Sequence, residues 1–349
     1  MKDACVIGHF GFGENLLNGQ TIKTKIVTDE IEKRLGSGAV TKIDTHGGLK
    51  AYLKLPLQLY RAVRDHKAIV ILPAQNGLKV IVPILTAFNR LYRRDLIYVV
   101  IGGWLPDLIK SRRGLAERLK SFRTIFVETS VMKRRMEEQG FSNIDLMPNC
   151  KQLTITEDLA FEDRKPHRLC TFSRVMKEKG IEDAVRAVLQ INASRSETCY
   201  TLDIYGQVDE NQKEWFDQLL SGCPDSISYK GSVDFDKSVE TIKQYYLLLF
   251  PTHFYTEGIP GTIIDSYASG VPVLCAKWES FSDIVEDGGT GVGYDFADYA
   301  GLVSSLETLA NDPTLVQRMK RSCLDRAKDY LPDRVCSRLV ELITDAEKK

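Results

Sequence analysis

The segment at residues 251–273 reads PTHFYTEGIPGTIIDSYASGVPV, and it follows the most apolar strand candidate of the chain, YYLLLF at 245–250. Glu257 precedes a short Gly–Ile–Pro–Gly loop, after which the sequence becomes helical in pattern. Gly258 and Gly261 allow backbone amides to approach a ligand closely. In doubly wound α/β domains, ligands bind at loops between strand ends and helix starts. The segment therefore predicts a ligand site in such a domain.

Two carboxylates flank the start of the predicted helix. Asp265 lies eight residues after Glu257, within the first turns of a helix that we expect to reach about Ser269. One carboxylate before a helix and one inside it can bind hydroxyls on two parts of an extended sugar nucleotide, while the helix N-terminus faces phosphate. Helix capping alone explains Pro260 but not the paired glycines beside a carboxylate.

The segment FSRVMKEKGIEDAV at 172–185 follows another strand candidate and enters a helix near Gly180. Arg174 and Lys179 are therefore expected near a strand's carboxyl end. Two cations there can bind a diphosphate and stabilise the charge that grows on it. Taken alone, this spacing is common, and a solvated pair explains it as well.

Alternation of short β-branched runs with longer amphipathic stretches predicts two successive α/β domains with C-terminal helices. We expect an N-terminal Rossmann-like domain at 1–150, a linker at 151–166, a second Rossmann-like domain at 167–330, and a helix at 331–349 packing back towards the N-terminal domain. The expected strands lie at 4–8, 40–44, 68–72, 96–101, 124–128, 144–148, 168–172, 200–205, 227–231, 245–250 and 271–276.

The loop GHFGFGENLLNGQ at 8–20 follows the first strand. Gly11 and Gly13 fit a dinucleotide fingerprint, but Leu16 occupies the place of its third glycine. NAD binding is therefore disfavoured. We interpret Gly11, Gly13 and Gly19 as a loop for an acceptor or a phosphate, with a plain glycine-rich turn as the alternative.

The second half resembles the donor domain of retaining glycosyltransferases of family 4, which have the two-Rossmann GT-B fold with the domains facing a cleft. The resemblance rests on FSRVMKEKG at 172–180 and on EGIPGTIID at 257–265, where Asp265 stands in place of the usual Glu. It covers roughly Met147 to Leu331, with further similarity in MPNC at 147–150 and VEDGGTG at 285–291.

The resemblance implies roles for particular residues. Arg174 and Lys179 would bind the donor diphosphate, Glu257 would lie near the transferred sugar as a catalytic group, and Asp265 would hold the ribose. Further donor contacts would come from Gly258, Ile259, Gly261 and Thr262, and His253 could approach the donor. The family reaction retains anomeric configuration and needs no metal or other cofactor.

Two alternatives concern metals and the acceptor side. Asp234 and Asp236 fit a D-x-D metal motif, although Asp234 is better interpreted as a helix N-cap. Many relatives carry a histidine after the fourth strand, where this chain has IGGWLP at 101–106. Gly103 and Trp104 are expected to shape the acceptor cleft instead.

The net charge of zero conceals an uneven distribution. Residues 1–150 carry 24 basic and 14 acidic side chains, whereas residues 151–349 carry 23 and 33. The stretch Arg90–Arg123 has nine basic and three acidic residues with interleaved leucines. Such a pattern can dock on an anionic membrane surface, although an ordinary surface helix with its apolar side in the core is the alternative.

These observations predict a cytoplasmic glycosyltransferase that can dock peripherally at the inner face of the cell membrane and that transfers sugar from a nucleotide-diphosphate donor to a polysaccharide or lipid-linked acceptor. Nothing in the sequence predicts nucleic-acid binding. The eight cysteines have no zinc-type spacing and suggest reduced thiols. The alternatives are a GT-B-fold sugar-nucleotide epimerase, which the histidine-poor first half disfavours, and a non-catalytic nucleotide-sugar-binding module.

Overall fold

The computed structural model describes residues 2–14, 19–36, 38–156, 159 and 165–345. The chain divides into two compact units. Unit 1 comprises Met1–Gln152 and Tyr330–Lys349, and unit 2 comprises Leu153–Asp329. Each unit contains a parallel six-stranded sheet with helices between its strands, which confirms the predicted α/β class.

Unit 1 has the strand order β2-β1-β3-β4-β5-β6. Its strands are β1 (Lys2–Gly8), β2 (Val40–Asp44), β3 (His66–Leu72), β4 (Asp95–Val99), β5 (Thr124–Val127) and β6 (Ile144–Leu146). The helices between them are α1 (Gly19–Leu35), α2 (Gly48–Asp65), α3 (Gln75–Tyr92), α4 (Leu105–Lys110), α5 (Arg113–Lys120) and α6 (Ser130–Glu137).

Alternate residues of β1 face two different hydrophobic clusters. Cys5 and Ile7 pack on one face of the sheet, and Ala4 and Val6 pack on the other. A strand that is covered on both faces needs a continuous apolar run, because neither side is exposed to water. This explains why ACVIG stood out in the sequence as a strand.

Unit 2 has the strand order β12-β11-β10-β7-β8-β9. Its strands are β7 (His167–Phe172), β8 (Tyr200–Tyr205), β9 (Ile227–Gly231), β10 (Leu247–Phe250), β11 (Val273–Ala276) and β12 (Gly291–Tyr294). Its helices are α7 (Ile181–Ala193), α8 (Lys213–Leu220), α9 (Ser238–Ile242), α10 (Gly261–Ala268), α11 (Phe281–Ile284), α12 (Tyr299–Asn311) and α13 (Thr314–Ala327).

Two short helices, α14 (Pro332–Val335) and α15 (Ser337–Asp345), follow unit 2 in the chain but pack in unit 1. Their buried side chains share one cluster with Ala4 and Val6 of β1; they are Cys336, Leu339, Leu342 and Ile343. Within the described ranges, no helix has the length and apolar character needed to cross a membrane.

Both sheets contain a point where successive strands change sides. In unit 1 the chain runs from β1 to β2 on one side and then to β3 on the other, and in unit 2 it runs from β7 through β8 and β9 before returning to β10. Parallel sheets of this kind bind ligands at the carboxyl ends of the strands beside that point. The loops after β1, β7 and β10 are therefore the first places to look for a site.

Candidate active site

The loops after β7 and β10 meet at the switch point of unit 2. Strand β7 leads into a 3-10 turn, Lys177–Lys179, and then into α7, while β10 leads through residues 251–260 into α10. The amide of His253 donates a hydrogen bond to the carbonyl of Glu178 at 2.8 Å, which joins the two loops directly. The predicted strand-to-helix placement of both sequence segments is thus observed.

Lys179 and Glu257, one from each loop, form an ion pair through Nζ and Oε1. The hydroxyl of Thr252 donates to the same carboxylate oxygen at 3.2 Å. The ammonium also lies 4.9 Å from the ring centroid of Phe254 and 5.5 Å from that of Phe250. The side chains of Lys179 and Glu257 are 19% and 16% exposed, so both charges are held in place and still reachable from solvent.

Gly180 makes the close approach of the two loops possible. Its φ is 69°, and a Cβ built on it would lie 1.8 Å from the carbonyl oxygen of Pro251. Any other residue would force the loop after β7 away from β10, because that contact is with backbone rather than with a movable side chain. The glycine that follows Lys179 is therefore part of the geometry of the ion pair.

Arg174 lies at a different position from Lys179. Its Nη2 pairs with Asp209 Oδ2 at 2.8 Å, and its side chain is 62% exposed. Asp209 is buried and also accepts a hydrogen bond from the amide of Asn211 at 3.0 Å. Arg174 is thus anchored by the loop after β8, and within the described residues it makes no ion pair or hydrogen bond to Lys179 or Glu257. Sequence reasoning missed Asp209.

His253 is oriented by α7. Its Nε2 lies 2.8 Å from Asp183 Oδ2, and the side chain is exposed. The resemblance implied that His253 could approach the donor, and the alternative is a histidine packed at the end of the strand. The observed exposure argues against packing, and the contact with Asp183 fixes the ring next to the Lys179 loop.

The N-terminus of α10 supplies the remaining predicted donor contacts. Gly258 and Ile259 are buried, and Gly261 and Thr262 are the first two residues of the helix. The hydroxyl oxygen of Thr262 is buried and has no hydrogen-bond partner among the described residues. These groups present amides and a hydroxyl at the positive end of a helix, where anions bind.

The two carboxylates of this segment differ in exposure. Asp265 is 3% exposed on α10, whereas Glu257 is reachable from solvent. A ligand could contact Glu257 directly but only a small surface of Asp265. The ribose contact that the resemblance implied for Asp265 stays a prediction.

The acceptor-side residues of unit 1 lie on two separate loops. Gly11 and Gly13 have φ of 62° and 88° in the loop after β1, and Gly19 is the first residue of α1. Gly103 and Trp104 follow β4, where the indole Nε1 donates to the carbonyl of Ile101 at 2.8 Å. Trp104 is thus bound to its own loop and packs partly against the core.

The D-x-D candidate forms a short turn. Asp234 directly precedes a 3-10 turn, Phe235–Lys237, and its carbonyl accepts from the amide of Lys237 at 2.9 Å. Asp234 occupies the predicted N-cap position, but its side chain makes no cap hydrogen bond. Among the described residues, no group of three or more His, Cys, Asp or Glu side chains is arranged to hold a metal.

The basic stretch Arg90–Arg123 has its apolar residues in the core. Six of them are buried in the cluster that contains Cys5 and Ile7; they are Leu105, Leu108, Ile109, Leu115, Leu119 and Phe122. The expectation that these side chains form the apolar face of a membrane-binding helix is therefore wrong. The exposed cations, such as Arg112 and Arg113, remain on the surface.

Comparison with solved structures identifies the class of fold. Sucrose-phosphate synthase from Thermosynechococcus elongatus superposes with a TM-score of 0.79 at 12% identity, covering 99% of each chain. HepE from Anabaena, solved in complex with UDP and glucose, gives a TM-score of 0.72 at 12% identity over 98% of this chain and 99% of that one. These matches confirm the predicted GT-B type of two-domain α/β fold.

Sequence comparison points to a family in unit 2. Residues 166–312 match the family described as Glycosyl transferases group 1. The GtfA subunit of the UDP-N-acetylglucosamine–peptide N-acetylglucosaminyltransferase of Streptococcus gordonii is 30% identical over 152 residues, which are 42% of this chain and 29% of the relative. The chain thus spans less than a third of that relative. The matches support the predicted enzyme class, a glycosyltransferase, and residues 166–312 contain the Lys179–Glu257 pair.

Proposed function

We propose that the chain is a glycosyltransferase that takes a nucleotide-diphosphate sugar as donor and a polysaccharide or lipid-linked glycan as acceptor. The observation that carries this proposal is the contact of Lys179 with Glu257 at the switch point of unit 2, inside the segment similar to group 1 glycosyltransferases. A UDP-sugar is the expected donor, because the GtfA relative is named for UDP-N-acetylglucosamine and HepE was solved with UDP and glucose.

In the proposed reaction, the bond between the sugar C1 and the diphosphate oxygen breaks, and negative charge grows on that oxygen. Lys179 and Arg174 stabilise this charge, each charged hydrogen bond contributing roughly 1.5–3 kcal/mol. The acceptor hydroxyl oxygen bonds to C1 from the same face, and its proton passes to the leaving phosphate oxygen. The product keeps the anomeric configuration. Two cations supply the electrostatic stabilisation, so the proposed reaction requires no divalent metal.

Glu257 and α10 orient the donor in this proposal. The exposed part of the Glu257 carboxylate accepts hydrogen bonds from hydroxyls of the transferred sugar, and Asp265 binds the ribose. The amides at Gly261 and Thr262 face phosphate, since they lie at the first turn of α10. The buried hydroxyl of Thr262 supports this role, because a buried polar atom normally has a partner, which a donor could provide.

A panel of nucleotide sugars tests the proposal. Each donor is scored by thermal shift and by slow release of nucleoside diphosphate in the absence of acceptor. One donor that binds and is hydrolysed supports a transferase, whereas conversion to an epimer supports a GT-B-fold epimerase. A donor that binds but is turned over neither alone nor with any acceptor that is added supports a binding module. With an accepted donor, NMR of the first-formed product reports whether the anomeric configuration is retained.

We also propose that the chain is cytoplasmic and that it docks on an anionic membrane surface through cations of unit 1. Arg112 and Arg113 are exposed and line a surface cavity of about 490 Å³ with Lys79 and Arg118, and none of the described residues that line it carries a carboxylate. Co-sedimentation with phosphatidylglycerol vesicles should decline with salt, because exposed charges are screened within about 10 Å at 0.1 M salt. Equal binding to phosphatidylcholine vesicles, or no binding to either, would refute the docking.

A further inference from the structure

Unit 1 contains a hydrogen-bonded pair of histidines at the carboxyl ends of β1 and β2. His9 Nε2 lies 3.0 Å from His46 Nδ1, and the two rings meet edge to face at 73°. His9 Nδ1 lies 2.7 Å from the hydroxyl of Thr21, which is fully buried on α1. Three of the five histidines of the chain, His9, His46 and His66, lie in the first half, so the argument that this half is poor in histidines, used above against an epimerase, is wrong.

The carboxylate of Glu14 completes this chain of contacts and determines its proton positions. His46 Nε2 lies 3.2 Å from Glu14 Oε1 and must donate to it, because an ionised carboxylate only accepts. A neutral His46 then accepts at Nδ1, so His9 donates from Nε2 and accepts at Nδ1 from Thr21. At most one of the two rings can be doubly protonated, because the hydrogen bond between them needs one nitrogen that carries no proton.

The backbone of the same loop is bound by Asp44. Asp44 Oδ1 accepts from the amides of Phe10 and His46, and Oδ2 accepts from the amide of Phe12, each at 2.9 Å. Burial favours the neutral carboxyl, but these amides outweigh it and lower the pKa of Asp44. The loop therefore has its anion-binding amides occupied by its own carboxylate, with Glu14 beside it. This disfavours a phosphate as the ligand.

An aromatic surface lies beside these polar groups. The Phe12 side chain is 60% exposed, and its ring stacks on that of buried Phe10 at a centroid distance of 5.1 Å and an interplanar angle of 11°. The stack with Phe10 and the hydrogen bond from the Phe12 amide to Asp44 hold the exposed ring in place. A ligand that packs on this ring therefore pays little further side-chain entropy. An exposed, rigid aromatic face next to hydrogen-bonding groups is suited to a ligand with one apolar and one polar face.

We infer that Phe12, Glu14 and His46 form a subsite for a neutral saccharide ring. The C–H face of the ring packs on Phe12, whose π-face carries partial negative charge. A ring hydroxyl donates to the carboxylate of Glu14, whose orientation is fixed by His46 and, through it, by His9. The inference rests on the proposed function, in which unit 1 receives the acceptor glycan. It assigns the loop after β1, which the sequence predicted to bind an acceptor or a phosphate, to a sugar.

The test uses the full chain labelled with carbon-13 at His Cε1, which reports on its five histidines by NMR. The probes are maltotriose, chitotriose and UDP. The trisaccharide that binds should shift the signals of His9 and His46. It should not shift the signal of His167, which is buried in unit 2. UDP should shift His253 and leave His9 and His46 in place. Signals are assigned with single His→Gln variants.

Two variants separate contact from positioning. Phe12→Ala should weaken saccharide binding roughly three- to ten-fold, the size of an aromatic contact, whereas Leu146→Ala, an equally apolar exposed change on β6, should leave it unchanged. His46→Ala should weaken saccharide binding, because Glu14 loses the ring that holds it in place. His46→Gln, which keeps an N–H donor for Glu14, should restore part of that binding.

The outcomes distinguish this inference from the proposed function. If UDP moves His253 and donor is hydrolysed, but neither trisaccharide moves His9 or His46, the subsite is wrong and the transferase stands. UDP moving His9 and His46 would also overturn the subsite. If no nucleotide sugar binds or is hydrolysed while a trisaccharide moves these histidines, the subsite stands and the transferase proposal fails.

Discussion

The loops after β1 and β7 occupy equivalent places in the two sheets, because each follows the first strand beside the switch point, but their charges are used in different ways. In unit 2, Lys179 and Glu257 face each other with part of each side chain exposed to solvent. In unit 1, Asp44 binds the amides of its own loop, and a pair of imidazoles connects buried Thr21 to exposed Glu14. One loop presents a cation to a ligand, and the other presents a carboxylate and an aromatic ring.

This difference indicates what each unit can bind. A cation at a helix start attracts phosphate, as Lys179 beside α7 would. In the unit 1 loop, Asp44 occupies amides that could otherwise bind a phosphate, although the glycine spacing resembles a phosphate-binding fingerprint. Glycines therefore show only that a backbone turns tightly, and the side chain that occupies the exposed amides determines the ligand.

The largest expected effect is loss of the unit 2 cation. Lys179→Ala should lower turnover of the accepted nucleotide sugar by about 10²–10³-fold, the loss seen when one preorganised donor to a developing charge is removed. Steady-state kinetics measures it. The matched control is Lys230→Ala, which removes an exposed lysine paired with Asp203 in the same unit. Equal losses in both variants would contradict a specific role for Lys179.

Arg174→Ala should lower turnover by at least about ten-fold, consistent with the removal of one charged hydrogen bond. We expect less than for Lys179 because Arg174 is 62% exposed and its charge is screened by solvent. Circular dichroism should show an intact fold. Unchanged turnover would refute a diphosphate role, and Arg168→Ala, another exposed arginine of unit 2, serves as the comparison.

Two glycine variants compare how closely the loops after β7 and β1 are packed against their surroundings. Gly180→Ala and Gly13→Ala both place a Cβ at positive φ, which costs roughly 1–2 kcal/mol. A Cβ on Gly180 would lie 1.8 Å from Pro251 O, whereas among the described residues, its chain neighbours aside, none has an atom within 4 Å of a Cβ on Gly13. Thermal denaturation should therefore show a larger loss for Gly180→Ala. A similar loss in both would mean that the β7 loop can move away from β10 without cost.

The smallest expected effect concerns His9. Burial, followed by the charge of His46, lowers the pKa of His9 from its ordinary 6.5. The folded chain then binds this proton less readily than the unfolded chain, so stability is lost as pH falls below 6.5 towards the folded value. His9→Gln should reduce that slope in urea unfolding curves recorded across this range. His253→Gln, which removes a histidine from unit 2, is the control.

Strong local signals made much of the fold predictable. The eleven predicted strands all correspond to observed ones, with shifts of a few residues at their ends. The strand β12 was missed because Gly291 and Gly293 replace the β-branched residues that indicate strands. A Cβ on Gly291 would lie 2.4 Å from Val273 O, so close pairing with β11 requires glycine at this position. Glycine is also the residue type that made β12 unrecognisable as a strand in the sequence.

The candidate site was predictable only where its residues lie in short motifs. Lys179 and Glu257 come from segments whose order of strand, loop and helix is visible in the sequence. Asp209 follows a different strand from Arg174, and His9 and His46 come from different strands and meet only once β1 and β2 pair in register. Such long-range contacts follow from strand pairing and carry no fixed spacing along the chain.

The return of α14 and α15 to unit 1 has a consequence for synthesis on the ribosome. Unit 2 is continuous in sequence, so its core can close as soon as residue 329 has emerged. Unit 1 is built from two separated segments, and the cluster around Ala4 and Val6 gains Leu339 and Ile343 only afterwards. Unit 1 therefore completes this face of its sheet only after all of unit 2 has been translated.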